Sequence, residues 1–134
     1  MNSETILLRQ VHPNFLKNGY VSSQAFIPTA KDDKKLSVYD GDLISPADAF
    51  AHYVHKLGLK SVGVWGIKKL EVDITGLNAI PDPLPETPEH ALVNFQKFSN
   101  KQCEKLGKKL RDFAVERGAL FSQGLNICTA NSDV

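Results

Sequence analysis

The sequence predicts an α+β fold: a single domain with a mixed or mostly antiparallel sheet of about five to six strands and two helices packed on it. The 134 residues match the usual size of one domain, and 42% of them are apolar, enough for one core. Strand-like segments in the first third of the chain are joined by turn signals rather than by helices, which favours antiparallel pairing. We expect residues 1–122 to form the domain and residues 123–134 to form a flexible polar tail.

The first third of the chain predicts three strands, at residues 5–11, 20–27 and 36–39. Pro13 ends the first strand, because proline has no amide proton to donate to a ladder. The Asn18-Gly19 pair before the second strand and the Asp40-Gly41 pair after the third are turn signals, since these residue types favour tight turns.

The middle of the chain predicts the first helix and the next strand. Ser45 is a helix-capping residue, Pro46 suits the first helical position, and Gly58 ends the helix. The apolar face of this helix is predicted from four residues at helical spacing: Ala47, Phe50, Val54 and Leu57. The short apolar segment 61–67 (SVGVWGI) follows as a strand.

The last third predicts a strand, a long helix and a short edge strand. Residues 71–90 contain five acids, four prolines and no Lys or Arg, and we interpret their second half as an extended connector. A strand at residues 90–95 precedes a helix that is capped by Ser99 and ends at Gly118. Its buried stripe is predicted to be Cys103, Leu106, Leu110, Phe113 and Ala114. Residues 119–122 complete the sheet.

Charge and cysteine content exclude several classes of protein. The net charge of +1 supplies no overall field for nucleic acid, and no apolar run is long enough to span a bilayer. Cys103 on the helix is predicted to be a core thiol and Cys128 a free thiol in the tail, which favours a reducing, cytoplasmic environment. The sequence contains no motif that predicts a cofactor.

One candidate metal site lies on the first helix. Asp48, His52 and His55 are spaced so that they follow one stripe of a regular helix, and imidazole and carboxylate groups bind divalent metals. The His-Glu-x-x-His arrangement of helix-borne zinc sites is absent, and the stripe lies away from the apolar face. We therefore interpret it as a polar surface facing solvent, with metal binding as the alternative.

A second group of candidates lies at or near the ends of the predicted strands: Arg9, His12, Ser23, Tyr39 and His90. Strand ends of one sheet bring together residues that are distant in sequence. An arginine for an anion, a histidine that exchanges protons near neutral pH and hydroxyl groups suit a nucleotide or another phosphate-bearing ligand. Each residue also has a structural alternative, such as capping of a turn by His12.

The order of these residue types resembles that of ADP-ribosyltransferases. A basic residue on the first strand and the Ser22-Ser23 pair on the second carry the resemblance. It implies a nicotinamide dinucleotide surrounded by an Arg or His, a Ser or Tyr, and an acid. The sequence departs from that pattern because it has no Gln-x-Glu or Glu-x-Glu motif; Glu86 and Glu89 are the late acids near a strand start.

The long helix carries a concentration of positive charge. Between residues 97 and 111, six basic residues accompany one acid, and Lys101, Lys105, Lys108 and Lys109 are the candidate partner-binding residues. Aromatic residues interleaved for base stacking are missing, which disfavours nucleic acid. A solvated helix face is the structural alternative. The leading hypothesis from the sequence is a small intracellular protein that acts by protein–protein contact, and the alternative is a small enzyme or binder of an anionic ligand.

Overall fold

A computed structural model describes residues 1–123, which form eight strands and three α-helices. The strands are β1 (Ile6–Val11), β2 (Leu16–Lys17), β3 (Tyr20–Val21), β4 (Lys35–Asp40), β5 (Gly63–Lys68), β6 (Asn78–Pro81), β7 (His90–Asn94) and β8 (Phe121–Ser122). The helices are α1 (Pro46–Ala51), which continues as a π-helical turn at His52–Lys56, α2 (Lys69–Ile74) and α3 (Asn100–Arg117). Beyond Gln123, the predicted tail lies outside the described residues.

Six of these strands pair into one antiparallel sheet in the order β6-β7-β4-β1-β5-β8, and β2 pairs with β3 in a separate hairpin. Helices pack on both faces of the six-stranded sheet. The predicted α+β class is therefore confirmed, with more helices than predicted because α2 was not recognised. In the described part of the chain, no helix combines the length and the apolar character needed to cross a membrane.

The larger core lies between the sheet and α3. Ser99 and Gln102 form a capping box at the start of α3: each side chain accepts a hydrogen bond from the other residue's main-chain N–H. Gly118 ends the helix with φ of 89°, a conformation that favours glycine. The buried face of α3 consists of Cys103, Leu106, Gly107, Leu110 and Ala114. The structure thus confirms the helix that the sequence predicted from its caps and apolar spacing.

The opposite face of the sheet packs against α1 and carries a smaller core. Its buried residues are Leu8, Tyr39, Ala49, Phe50 and Val64. The predicted apolar face of α1 is partly wrong, because Ala49 is buried whereas Ala47 is exposed. The π-helical turn that follows Ala51 changes the angular spacing of the later residues, so one regular 3.6-residue period does not describe the whole segment.

Two segments differ from their predicted structure. The strand expected at residues 20–27 is confined to Tyr20–Val21, because the Ser22 hydroxyl accepts a hydrogen bond from the Gln24 amide and starts a 3₁₀ helix. The acidic segment begins with α2, a helix that was not predicted, whereas the predicted connector concerned only its second half. Glu71 caps that helix through the Lys68 amide and forms a two-pronged ion pair with Arg117 of α3.

Candidate functional site

The ladder between β1 and β4 breaks in the middle of the sheet. β1 pairs with β5 at six positions, but it pairs with β4 at only two, Leu7 opposite Asp40 and Leu8 opposite Tyr39. Hydrogen-bonded pairs alternate along an antiparallel ladder, and the Gly41 amide donates to the Ile6 carbonyl, so the next bonded pair would join Gln10 and Ser37. This pairing is missing, and a gap opens between the two central strands.

A cavity of about 360 Å³ occupies this gap. Its wall includes Leu8 and Gln10, which lie on the α1 face of β1, together with Arg9, which alternates to the α3 face. The volume lies at the lower end of the range for small-molecule pockets. The apolar wall includes Phe15, Ile27, Leu36, Leu57, Leu59 and Leu84, and the polar wall includes Arg9, Gln10, Lys35, Tyr39, Tyr53 and His90.

Arg9 bridges the two strands at the gap. Its Nη1 donates to the Ser37 carbonyl over 2.9 Å, in place of the missing ladder bond, and its Nε donates to the Ala25 carbonyl over 2.7 Å. Burial lowers the pKa of Arg9, and the acidic groups of Tyr53 and Asp32 oppose that lowering. Arg9 therefore supports the wall of the cavity and also brings a positive charge to it.

Gln10 is a buried polar residue in the same wall. The residue is 7% exposed, and neither its Nε2 nor its Oε1 has a hydrogen-bond partner among the described residues. Burying an amide without a partner costs about 1–3 kcal/mol, so such groups are rare in folded proteins. Both amide atoms are shielded within the wall, so the Gln10 side chain must turn toward the cavity to bond to a group that enters it.

Tyr39 is joined to the π-helical turn through His52. The Tyr39 hydroxyl lies 2.9 Å from Nδ1 of His52, and Nε2 of His52 lies 2.9 Å from the Glu86 carbonyl. A carbonyl only accepts, so Nε2 carries the proton; Nδ1 of the neutral ring then accepts from the Tyr39 hydroxyl. Burial, with smaller contributions from Tyr53 and Glu89, raises the pKa of Tyr39 to about 12. Tyr39 therefore remains a neutral hydrogen-bonding phenol at neutral pH.

His90 lies opposite Tyr39 in the β4–β7 ladder, so both side chains start on the same face. Its Nδ1 lies 2.9 Å from the Asp82 carbonyl and 3.1 Å from the Asp82 carboxylate. These contacts hold one end of the proline-rich segment 82–89, and the His52 contact holds its middle. Leu84 and Thr87 of that segment contribute to the cavity wall.

The structure brings together three of the five residues that the sequence singled out. Arg9, Tyr39 and His90 line the cavity, whereas His12 and Ser23 lie outside its wall. Nδ1 of His12 accepts a hydrogen bond from the Asn14 amide and caps a short helix, which is the structural alternative considered above. Ser23 belongs to the 3₁₀ helix Ser23–Phe26 rather than to a strand.

Sequence reasoning missed Gln10, Lys35 and Tyr53 as residues of the same cavity. Gln10 carried a usable signal. It lies two residues after Leu8 in the predicted first strand, so both side chains share one face, and that face is expected to be buried. Tyr53 carried none, since its direction depends on the π-helical turn.

The residues of the candidate metal site do not form a joint site. Asp48 and His55 are exposed, the Asp48 amide donates to the capping Ser45 hydroxyl, and His52 contacts Tyr39 instead. The π-helical turn starts at His52 and alters the spacing on which the stripe depended. Within residues 1–123, no group of three or more His, Cys, Asp or Glu side chains is arranged to hold a metal ion.

The four candidate lysines on α3 are exposed, and none forms an ion pair with another described residue. Lys101, Lys105 and Lys108 are spaced so that they follow one stripe of the helix. Lys109 lies at a second, more open cavity beside Ile74 at the end of α2.

Comparison with known proteins gives no relative for this chain: no family model, no curated protein and no solved structure matches it. The resemblance to ADP-ribosyltransferases depended on a serine pair on the second strand. Ser22 and Ser23 instead start a 3₁₀ helix.

Proposed function

We propose that this protein binds a small molecule in the cavity between β1 and β4. The observation that carries the proposal is the amide of Gln10, which is buried in the cavity wall without a partner among the described residues. A ligand that hydrogen-bonds to this amide would offset the cost of burying it. Arg9, Tyr39 and His90 border the same space and supply further polar contacts.

The chemistry of the site favours binding over catalysis. Tyr39 has its pKa raised to about 12, whereas a phenol that acts as a nucleophile or a general base needs a lowered pKa. The Nδ1 of His90 is engaged by Asp82, and both nitrogens of His52 are engaged by protein groups. These side chains fix the shape of the wall rather than presenting an activated atom to a substrate.

The cytoplasm is the proposed location. Cys103 of α3 is a free thiol that is buried in the larger core, and burial raises its pKa. A reducing compartment keeps such thiols free.

Filling the cavity tests the proposal. Ser37 lines the cavity with an exposed side chain, so Ser37→Phe places an aromatic ring in the open space without displacing core residues. Ser122→Phe makes the same change at an exposed position on edge strand β8 and serves as the control. The purified proteins would be incubated with the small-molecule fraction of a cell extract, and retained compounds identified by mass spectrometry.

We expect the wild-type protein and Ser122→Phe to retain the same compound and Ser37→Phe to lose it. If the wild-type protein retains nothing beyond what Ser37→Phe retains, the proposal is wrong.

Contact with an acidic protein partner is a second candidate function. The specific observation is the stripe of Lys101, Lys105 and Lys108, exposed and without ion pairs to other described residues. Positive charge of this kind raises association rates with an acidic surface. Pull-down from source cells would compare the wild-type protein with a variant carrying Glu at all three positions. A control carries Glu at the exposed Lys17 and Lys56. A partner that binds all three proteins equally would contradict this function.

A further inference from the structure

We infer that the ligand of this cavity is a small organic oxyanion, a carboxylate or a phosphate ester with an apolar body, whose charged group binds Arg9 and Lys35. This inference rests on the proposed function and specifies the class of ligand. Four features of the cavity support it. They are an arginine without an ion pair to a described residue, a second cation at the wall, an acid beyond ion-pair distance of that arginine, and apolar residues beside them.

Arg9 is a cation without an ion pair among the described residues. Its hydrogen bonds go to two neutral carbonyls, those of Ala25 and Ser37, and they use Nε and Nη1. No described carboxylate lies within ion-pair distance of the guanidinium, and Nη2 makes no hydrogen bond to a described residue. Arg9 is half-buried, and a charge that is partly removed from water gains stability from pairing. An oxyanion at Nη2 would complete this pairing.

Lys35 supplies a second positive charge in the same wall. It lies on β4 across the gap from Arg9, and its Nζ is 3.9 Å from the Asp33 carboxylate. The side chains of Lys35 and Asp33 are 43% and 79% exposed, so this ion pair is weak and its lysine is easily redirected. Both cations line the same cavity, and charge-assisted hydrogen bonds from arginine or lysine to a carboxylate or phosphate are among the strongest in proteins.

The one acid in the described wall, Asp32, acts on Arg9 only from beyond ion-pair distance, where it opposes the lowering of the Arg9 pKa. The Asp32 carboxylate accepts a hydrogen bond from the Thr29 hydroxyl and is not within ion-pair distance of the guanidinium. Arg9 and Lys35 against Asp32 leave a net charge of +1 in the wall when His90 is neutral. Asp33 lies outside the wall and pairs only weakly with Lys35, so the wall itself favours a negatively charged group.

The apolar residues favour an organic anion over an inorganic one. Leu57, Leu59 and Leu84 line the side of the cavity formed by the π-helical turn, the residues after it and the proline-rich segment. Pockets for small molecules commonly combine such apolar walls with a few polar groups that fix orientation. A carboxylate or phosphate at Arg9 would leave the body of the molecule against these leucines, with Gln10 beside it.

Matched fragments test this class of ligand. Benzoate and benzamide have the same shape and differ in charge, and phenyl phosphate presents the other oxyanion. Each would be titrated into ¹⁵N-labelled protein while the signals of the Arg9 Nε–H and the Gln10 side-chain amide are followed. We expect at least one of the two anions to shift both signals and to bind at least about tenfold more tightly than benzamide. The stronger anion identifies carboxylate or phosphate as the preferred group.

Variants test the same inference without removing the structural contacts of Arg9. Lys35→Gln should weaken binding of the preferred anion several-fold and reduce its dependence on salt, while leaving benzamide unaffected. Lys17→Gln removes an exposed charge on β2 and should change neither. Equal weakening by both variants would show a general charge effect and overturn the inference.

The outcomes separate this inference from the proposed function. Benzamide binding as tightly as both anions would overturn the anionic class, while cavity binding would stand. Failure of both anions to shift the two signals would also overturn the class. The proposed function itself is decided by the retention of extract compounds in the wild-type protein and their loss in Ser37→Phe.

Discussion

The two sides of strand β1 contrast in how completely they are closed. Toward β5, the strand pairs at six positions; toward β4, it pairs at two and then leaves a cavity. Within residues 1–123, the core on the α3 face has twenty buried residues, whereas the core on the α1 face has five. One side of β1 is therefore fully paired, and the break on its other side leaves the cavity.

Complete pairing on one side of β1 allows this small domain to accommodate a cavity on the other side. The long β1–β5 ladder and α3 hold the sheet together, so the β1–β4 ladder does not need to be complete. Arg9 replaces one missing bond with its own donor to the Ser37 carbonyl, so β1 and β4 remain linked beyond Leu8. The cavity thus has a polar wall in which the Ser37 carbonyl keeps a hydrogen-bond donor.

The largest expected effect lies in the closed region, that is, the β1–β5 ladder and the core between the sheet and α3. Leu110 is fully buried on α3, so Leu110→Ala should lower the free energy of unfolding by about 2–5 kcal/mol through lost burial and a cavity. Lys108, exposed on the same helix, is the control, and Lys108→Ala should change stability by no more than about 0.5 kcal/mol. Urea denaturation measures both, and similar midpoints would contradict the orientation of α3.

Gly107→Ala should destabilise the protein by about 1–3 kcal/mol, although alanine is normally the better helix residue by about 1 kcal/mol. A Cβ at this position would collide with Ile27 and lie 2.9 Å from the Phe26 carbonyl, where the 3₁₀ helix crosses α3. Thermal and urea denaturation measure the effect. Glu104→Ala on the exposed face is the control. A stabilised Gly107→Ala protein would show that the two segments are not in close contact.

In the open region, where β1 and β4 border the cavity, a substitution in the wall should raise stability. Gln10→Met keeps the length of the side chain and removes the unpartnered amide, so we expect a gain of about 1 kcal/mol together with loss of ligand. Gln24→Met, at an exposed position, should lie within about 0.5 kcal/mol of the wild type. Destabilisation by Gln10→Met would mean that the amide has a partner in solution.

An effect confined to high pH is expected from Tyr39. Its folded pKa of about 12 exceeds the ordinary value of 10.0, so from pH 10 upward the unfolded state loses this proton first. The wild type should therefore lose stability between pH 10 and 12 relative to Tyr39→Phe, which has no proton to lose there. Urea denaturation at pH 7 and pH 11 measures this difference. A stability difference between the two proteins that stays constant would contradict the burial of the phenol.

The closed region was predictable from local patterns. Ser99 and Gly118 mark the ends of α3, and Leu106 and Leu110 mark its buried face, because capping and helical spacing are properties of neighbouring residues. The strand beginning at His90 was equally visible, since its apolar residues follow one another directly.

The open region was predictable only in part. The convergence of Arg9, Tyr39 and His90 follows from their places on neighbouring strands, but the gap itself does not. A break in a ladder depends on how two distant segments pack, and the sequence of β1 alone does not show it. The direction of His52 likewise depends on the π-helical turn, which a regular helical period does not anticipate.

The gap between β1 and β4 is tested most directly by hydrogen exchange of two main-chain amides, those of Leu8 and Gln10. The ladder alternation directs both toward β4, and pairing with β4 extends to Leu8 and ends there. We expect the Gln10 amide to exchange at least about tenfold faster than the Leu8 amide under native conditions. Equal protection of the two amides would show a continuous ladder and contradict the cavity on which the proposed function depends.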